Sequence, residues 1–142
     1  ADATLNRRAD LYDATKGPIG AKLTFIGLQV NDQHPNPSQT PIETYKTRLR
    51  TLVQKVKTTG DCVLIIPPDD TSVPAQPIPF SEYEAAQRLI ASEEHCAVLD
   101  IHALWGTWAE AAAKGYMTDG IHPDDDGNLD MASVAWELLH RF

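Results

Sequence analysis

Only two of the 142 residues are cysteine, too few for a disulfide framework. No apolar run approaches the ~18 residues that would argue for a membrane-spanning helix. Basic residues are the scarcer charge: 12 Lys and Arg stand against 20 Asp and Glu, a formal net charge of -8 at pH 7. An acidic chain with no Lys/Arg stripe repels phosphate backbones, so no nucleic-acid partner is expected, and no membrane partner either. Ala1 to Asp10 carry no apolar segment of the signal-peptide kind, which leaves the compartment open. What is present is ordinary for a globular domain: 42% hydrophobic and 23% charged residues. The expectation is a single α/β domain over 1–142, able to fold without metal or disulfide.

Strand and helix signals alternate along the chain. Asp2 to Thr15 read as a helix with Leu5, Ala9 and Tyr12 on one face, ending near Gly17-Pro18. The apolar run Leu23 to Val30 reads as a buried strand, followed by a Pro-rich loop from Asn31 to Gln39. Three capping boxes are expected, Thr40 with Glu43, Ser81 with Glu84, and Thr107 with Glu110. The first opens a helix that carries Ile42, Tyr45, Leu49, Leu52, Val53 and Val56 to a stop at Gly60. The second helix runs to about Ser92, and the third is closed by Gly115. Further strands begin at Cys62 and Cys96. A last helix begins near Asp126 to Asn128 and places Leu129, Ala132, Trp136 and Leu139 on one face. This alternation predicts a parallel sheet covered by helices. Three clear strands are few for such a sheet.

The cysteines fit neither a metal nor a redox spacing, so two buried free thiols are the first expectation. If the Cys62 and Cys96 strands are neighbours in similar register, a disulfide comes within reach.

Two segments carry more polar chemistry than packing requires. Asn31-Asp32 follows the first strand and therefore lies at its carboxyl end, where such folds place functional loops. Asp119-Gly120-Ile121-His122-Pro123 precedes the last helix. An Asp three residues before a His can fold back and accept the Nδ1 proton, leaving Nε2 as a general base. Gly120 permits the tight turn. Asn31 can offer an amide to a developing oxyanion, worth roughly 3 to 4 kcal/mol when well aimed. Each segment also has a plain structural account, as a helix cap or a turn.

Taken together, these blocks resemble the C-terminal portion of an SGNH (GDSL-type) hydrolase. Asp119-Gly120-Ile121-His122-Pro123, followed by Asp126-Gly127-Asn128 and an apolar helix, is similar to that family's last block. Gln29-Val30-Asn31-Asp32 resembles its Gly-x-Asn-Asp block, with Gln29 in place of the Gly. The resemblance implies a three-layer flavodoxin-like sandwich and ester hydrolysis by a Ser-His-Asp triad. Within it, His122 is the base, Asp119 orients the imidazole, and Asn31 lines the oxyanion hole. Gln29, His34 and Trp105 become candidate substrate-facing residues, although a solvated loop is the plainer account of His34.

The departure from that pattern is large. No Gly-Asp-Ser segment occurs, and none of Ser38, Ser72, Ser81, Ser92 and Ser133 follows an apolar strand at a sharp turn. The expectation is a C-terminal fragment lacking the first strand or strands. An N-terminal segment or companion chain would then carry Gly-Asp-Ser, and the isolated chain would be inactive or nearly so. The expected partner is a small-molecule or carbohydrate ester, and no cofactor is expected. A non-catalytic binding or assembly module on the same scaffold is the alternative. A calcium loop around His122 and Asp124 to Asp126 fails on spacing, since its closing Glu position holds Ser133. Trp105, Trp108 and Tyr116 read first as core, and second as an aromatic wall for a sugar ring.

Overall fold

Parallel strands cannot be joined by a tight turn, so each pair demands a crossover, usually a helix. The computed structural model describes residues 22–33, 39–68 and 76–140, with Asn31 described by its backbone alone. The helix expected over Asp2 to Thr15, and His34, lie outside the described residues. The elements are β1 (Leu23–Ile26), α1 (Val30–Gln33), α2 (Ile42–Lys57), β2 (Asp61–Ile66), α3 (Phe80–Glu93), β3 (Ala97–Asp100), α4 (Ile101–Trp105), α5 (Trp108–Ala113) and α6 (Asp125–Leu139). The fold is mixed α/β around a three-stranded parallel sheet in the order β1-β2-β3. Leu23, Thr24, Phe25 and Ile26 stand opposite Asp61, Cys62, Val63 and Leu64. The chain groups into two compact units, 1–65 with 76–98, and 66–75 with 99–142.

In the first unit, strand order follows chain order, so successive right-handed crossovers place their helices on the same face. That is where α2 and α3 pack against each other. Tyr45, Leu49, Leu52, Val53 and Val56 of α2 meet Tyr83, Ala86, Ile90 and Ala91 of α3 over Ile26, Cys62 and Leu64. The Tyr45 and Tyr83 rings touch edge to face, with centroids 5.1 Å apart. At the far end Arg50 pairs with Glu93, and Gln54 bonds Glu94 at 2.8 Å. Cys62, Val63, Leu64 and Ile66 are all buried. Burial of successive residues is what an interior parallel strand requires.

The expected helix starts need correction at two of three places. α2 begins after Pro41 without a side-chain cap, because the Thr40 hydroxyl instead bonds the buried Asp32 carboxylate at 2.9 Å. α3 begins two residues early, at Phe80 after an extended Pro79, again without a side-chain cap. Ser81 is then already helical and cannot serve as a cap. The Thr107–Glu110 box forms with both halves present. The first strand is also shorter than expected. It ends at Ile26, and the amides of Asp32 and Gln33 both bond the Gln29 carbonyl, which turns Val30 onward into α1.

In the second unit, a helix not expected from the sequence, α4, follows β3 directly. The Asp100 side chain caps it by accepting from the Ala103 amide at 2.9 Å. Gly106 closes it at φ +79, where a Cβ would fall 2.2 Å from Glu110 Oε2. α6 is capped by Asp124, whose carboxylate accepts from the Gly127 amide at 3.0 Å. The apolar stripe of this helix is not buried. Leu129 and Trp136 are 67% and 64% exposed, and Ala132 and Leu139 are exposed with them. The opposite side, through Gly127 and Asp130, is the one held against Trp105 and Tyr116.

α3 ends in a Schellman closure. The Cys96 amide bonds the Ala91 carbonyl at 2.8 Å and the His95 amide faces the Ser92 carbonyl at 3.4 Å. His95 occupies the left-handed position, φ 52, that glycine normally fills. The left-handed conformation costs an L-residue about 1–2 kcal/mol, offset in part by the greater unfolded-state freedom of glycine. His95→Gly should therefore raise stability by about 0.5–1 kcal/mol in urea unfolding, whereas His95→Val should lower it.

Candidate active site

Asp119 and His122 lie in a loop closed at its base by an isolated antiparallel bridge between Met117 and Pro123. The Asp124 amide adds a bond to the Tyr116 carbonyl at 3.0 Å. Met117 is buried, and Gly120 takes φ +84 to let the chain reverse. Within the turn, Asp119 Oδ1 accepts from the Ile121 amide at 2.9 Å and the His122 amide at 2.7 Å. That leaves Oδ2 facing His122 Nδ1 at 2.8 Å. One carboxylate thus fixes the backbone of the turn and the ring of the histidine together. These bonds, first the one from the His122 amide, hold the Asp119 carboxyl well below its ordinary range. The His122 side chain is 75% exposed, so the ring edge away from Asp119 is open to a reacting group.

Behind this loop, Trp105 is 1% exposed. Its indole donates to Asp130 Oδ2 at 2.8 Å, and its ring lies 5.0 Å from that of Tyr116. The substrate-facing position considered for Trp105 therefore gives way to a packing one. A fully enclosed ring whose only polar atom is already bonded has no face left for a sugar. Gly127 lets α6 approach, since a Cβ there would meet the Tyr116 carbonyl oxygen at 2.5 Å. The acidic run that suggested a cation loop is used locally, Asp124 as the α6 cap and Asp125 and Asp126 in the first turn.

Asn31 belongs to the first unit, in the α1 turn directly after β1. Gln29, considered a substrate-facing residue, is 2% exposed and donates through Nε2 to Gln33 Oε1 at 2.9 Å. Burial again makes it part of the scaffold. Sequence reasoning missed the polar network of which it is one end. Asp32 is 1% exposed, with Thr40 Oγ1 on its Oδ1 and no hydrogen-bond partner for Oδ2 among the described residues. Tyr83 sends its hydroxyl to the Thr40 and Asp32 carbonyls, at 2.6 and 3.2 Å. Tyr45 bonds the Leu28 carbonyl at 3.0 Å and receives Gln87 Nε2 at 2.9 Å. Burial raises the Asp32 carboxyl above its ordinary range, against the opposing Thr40 bond and the Arg48 charge. The same burial pushes the Tyr83 phenol up to about 12. The signal was in the sequence only as polar residues at core spacing, Tyr45, Tyr83 and Gln87.

Of the serines, Ser38 and Ser72 lie outside the described residues. Ser81 and Ser92 are on α3, and Ser133 on α6 bonds the Leu129 carbonyl at 2.9 Å. None of these three stands on a turn between strand and helix.

The described residues thus combine a three-stranded parallel sheet, helices and an Asx-turned Asp-His pair before the last helix. The profile of the GDSL-like Lipase/Acylhydrolase family matches residues 2–129, and the chain belongs to that family. No curated protein matches it by sequence. Among solved structures it is similar to the lipase/acylhydrolase from Enterococcus faecalis, with a TM-score of 0.78 at 17% identity, over 97% of this chain and 71% of that one. It is also similar to a catalytic mutant of Axe2, an acetylxylan esterase from Geobacillus stearothermophilus. There the TM-score is 0.71 at 16% identity, over 94% of this chain and 66% of the other. A peptidoglycan O-acetylesterase gives 0.73 at 18% identity, over 96% of this chain and 40% of that one. At such identities the likeness is one of fold.

Two outcomes follow from the geometry. Because the Asp119 carboxyl is depressed from its ordinary value of 3.8, its turn stays intact above that value and is lost only as pH falls further. The Ile121 amide resonance should show no carboxylate titration step near 3.8 in an NMR titration, and in Asp119→Ala it should start displaced. Thr40→Val removes the one hydrogen-bond donor that the buried Asp32 carboxylate has among the described residues, so it should cost about 1–3 kcal/mol in urea unfolding.

Proposed function

We propose that this chain supplies the base, its orienting carboxylate and an oxyanion donor of a serine esterase. Its substrates would be acyl or acetyl esters, with acetylated carbohydrate as the substrate class. The observation that carries the reading is the 2.8 Å contact between Asp119 Oδ2 and His122 Nδ1 beside an open ring edge. The fold neighbours support the substrate class, since two of them are named for acetylated xylan and for peptidoglycan O-acetyl groups.

In this reading Asp119 holds Nδ1–H and leaves His122 Nε2 with a lone pair. Nε2 takes the hydroxyl proton of a serine as its oxygen attacks the ester carbonyl. The oxyanion that forms accepts from the Asn31 amide, and the tetrahedral intermediate collapses as Nε2–H returns the proton to the leaving alcohol. Water then repeats the sequence on the acyl-serine. The serine comes from a Gly-Asp-Ser segment outside these 142 residues, on an N-terminal segment or a companion chain, because the sequence contains no such motif.

A second reading, a non-catalytic binding or assembly module on this scaffold, draws on the missing nucleophile and on the exposed Leu129–Trp136 stripe of α6. Hydrolysis of p-nitrophenyl acetate separates the two. Protein that includes the Gly-Asp-Ser segment should turn over, and His122→Ala should reduce kcat by roughly 10³-fold or more with the fold intact. Absence of turnover in that complete protein, or an unchanged rate in His122→Ala, would leave the binding module as the account.

A further inference from the structure

The esterase reading makes no use of Cys62 and Cys96, and both belong to the first unit. Cys62 is the second residue of β2, and Cys96 immediately precedes β3, its neighbour in the sheet. Both side chains pack on the same hydrophobic cluster beneath α2 and α3. They are free thiols, and the Cys96 thiol lies near enough to Cys62 to help raise its pKa. Neighbouring parallel strands hold their Cα atoms near 5 Å apart, inside the roughly 4.4–6.8 Å that a disulfide spans. Cys96 is held there by the Schellman closure of α3, through its amide bond to the Ala91 carbonyl.

We propose that Cys62 and Cys96 form an oxidisable dithiol, a modification site whose co-reactant is a low-molecular-weight disulfide such as oxidised glutathione. The two thiols differ in access. Cys62 is 3% exposed, and burial, with the Cys96 thiol beside it, pushes its pKa up to about 12. Cys96 is only partly buried, so it is the entering nucleophile. Its thiolate attacks one sulfur of the small disulfide, forming a mixed disulfide and expelling one thiolate, which takes up the proton Cys96 lost. Cys62 then gives up its proton and attacks the Cys96 sulfur, and the second small thiol departs with that proton. One disulfide is consumed, two small thiols are released, and two protein thiols become one bond.

The bond would tie β2 to β3 near their amino ends. Asn31 follows the carboxyl end of β1, whose partner Thr24 stands opposite Cys62 in this parallel sheet. The cross-link is thus at the opposite end of the strands from the Asn31 turn, and its expected effect is on unfolding.

The test is equilibration of the folded chain with oxidised glutathione, followed by intact mass and thiol counting in denaturant. The proposal expects thiols to fall from two to none, a mass lower by about 2 Da, and a higher unfolding midpoint that a reductant reverses. Cys62→Ser should stop at a stable glutathione adduct on Cys96, and Cys96→Ser should leave Cys62 unmodified while folded. Two thiols still free, a persistent single adduct on the unsubstituted chain, or a disulfide-linked dimer would each overturn it.

Discussion

The architecture rests on one constraint, the parallel pairing of β1 with β2. A parallel pair needs a long return, and here that return includes the whole of α2. The helix must bury its apolar stripe on the strands it joins, so Tyr45, Leu49, Leu52, Val53 and Val56 are committed to the sheet. The same demand repeats between β2 and β3, and α3 settles beside α2. The carboxyl end of β1 is thereby left to the α1 turn and the network beneath it. Thr40, a residue suited to capping α2, is drawn away to satisfy Asp32. A buried carboxylate has a stronger claim on a hydroxyl than a helix end does, because the helix amides can turn to water.

Two carboxylates show how position decides chemistry. Asp32 is enclosed, and losing water raises its pKa. Asp119 is in solvent, yet two backbone amides and an imidazole converge on it and lower its pKa. The first is suited to holding a turn together. The second is suited to staying ionised beside a histidine, the state in which it can fix a tautomer and stabilise an imidazolium.

Much of this was legible in the sequence, and the failures have physical causes. The α2 stripe, the Asp-Gly-x-His turn and the Thr107–Glu110 box depend on local spacing, which sequence displays directly. Thr40 and Ser81 were misread because a capping pattern says nothing of competing partners or of where helical backbone begins. Gln29 looked like a binding group because its type suits that role; burial, a tertiary property, turned it inward, and the same burial bears out the core reading of Trp105 over the aromatic-wall one. The exposure of the α6 stripe is likewise a tertiary property. Its spacing fits a buried face, but Gly127 and Asp130 set which side is held against Trp105 and Tyr116. The Asp32 network joins α1 to α2 and α3 across the fold, and no local pattern announces it.

The central claim, that this chain carries the Asp-His half of a serine esterase whose nucleophile lies elsewhere, is tested most directly by fluorophosphonate labelling followed by intact mass. The account predicts no adduct on the 142-residue chain and a single adduct on a polypeptide bearing the Gly-Asp-Ser segment, lost when His122 is replaced by Ala. A stoichiometric adduct on a serine within these 142 residues would contradict it.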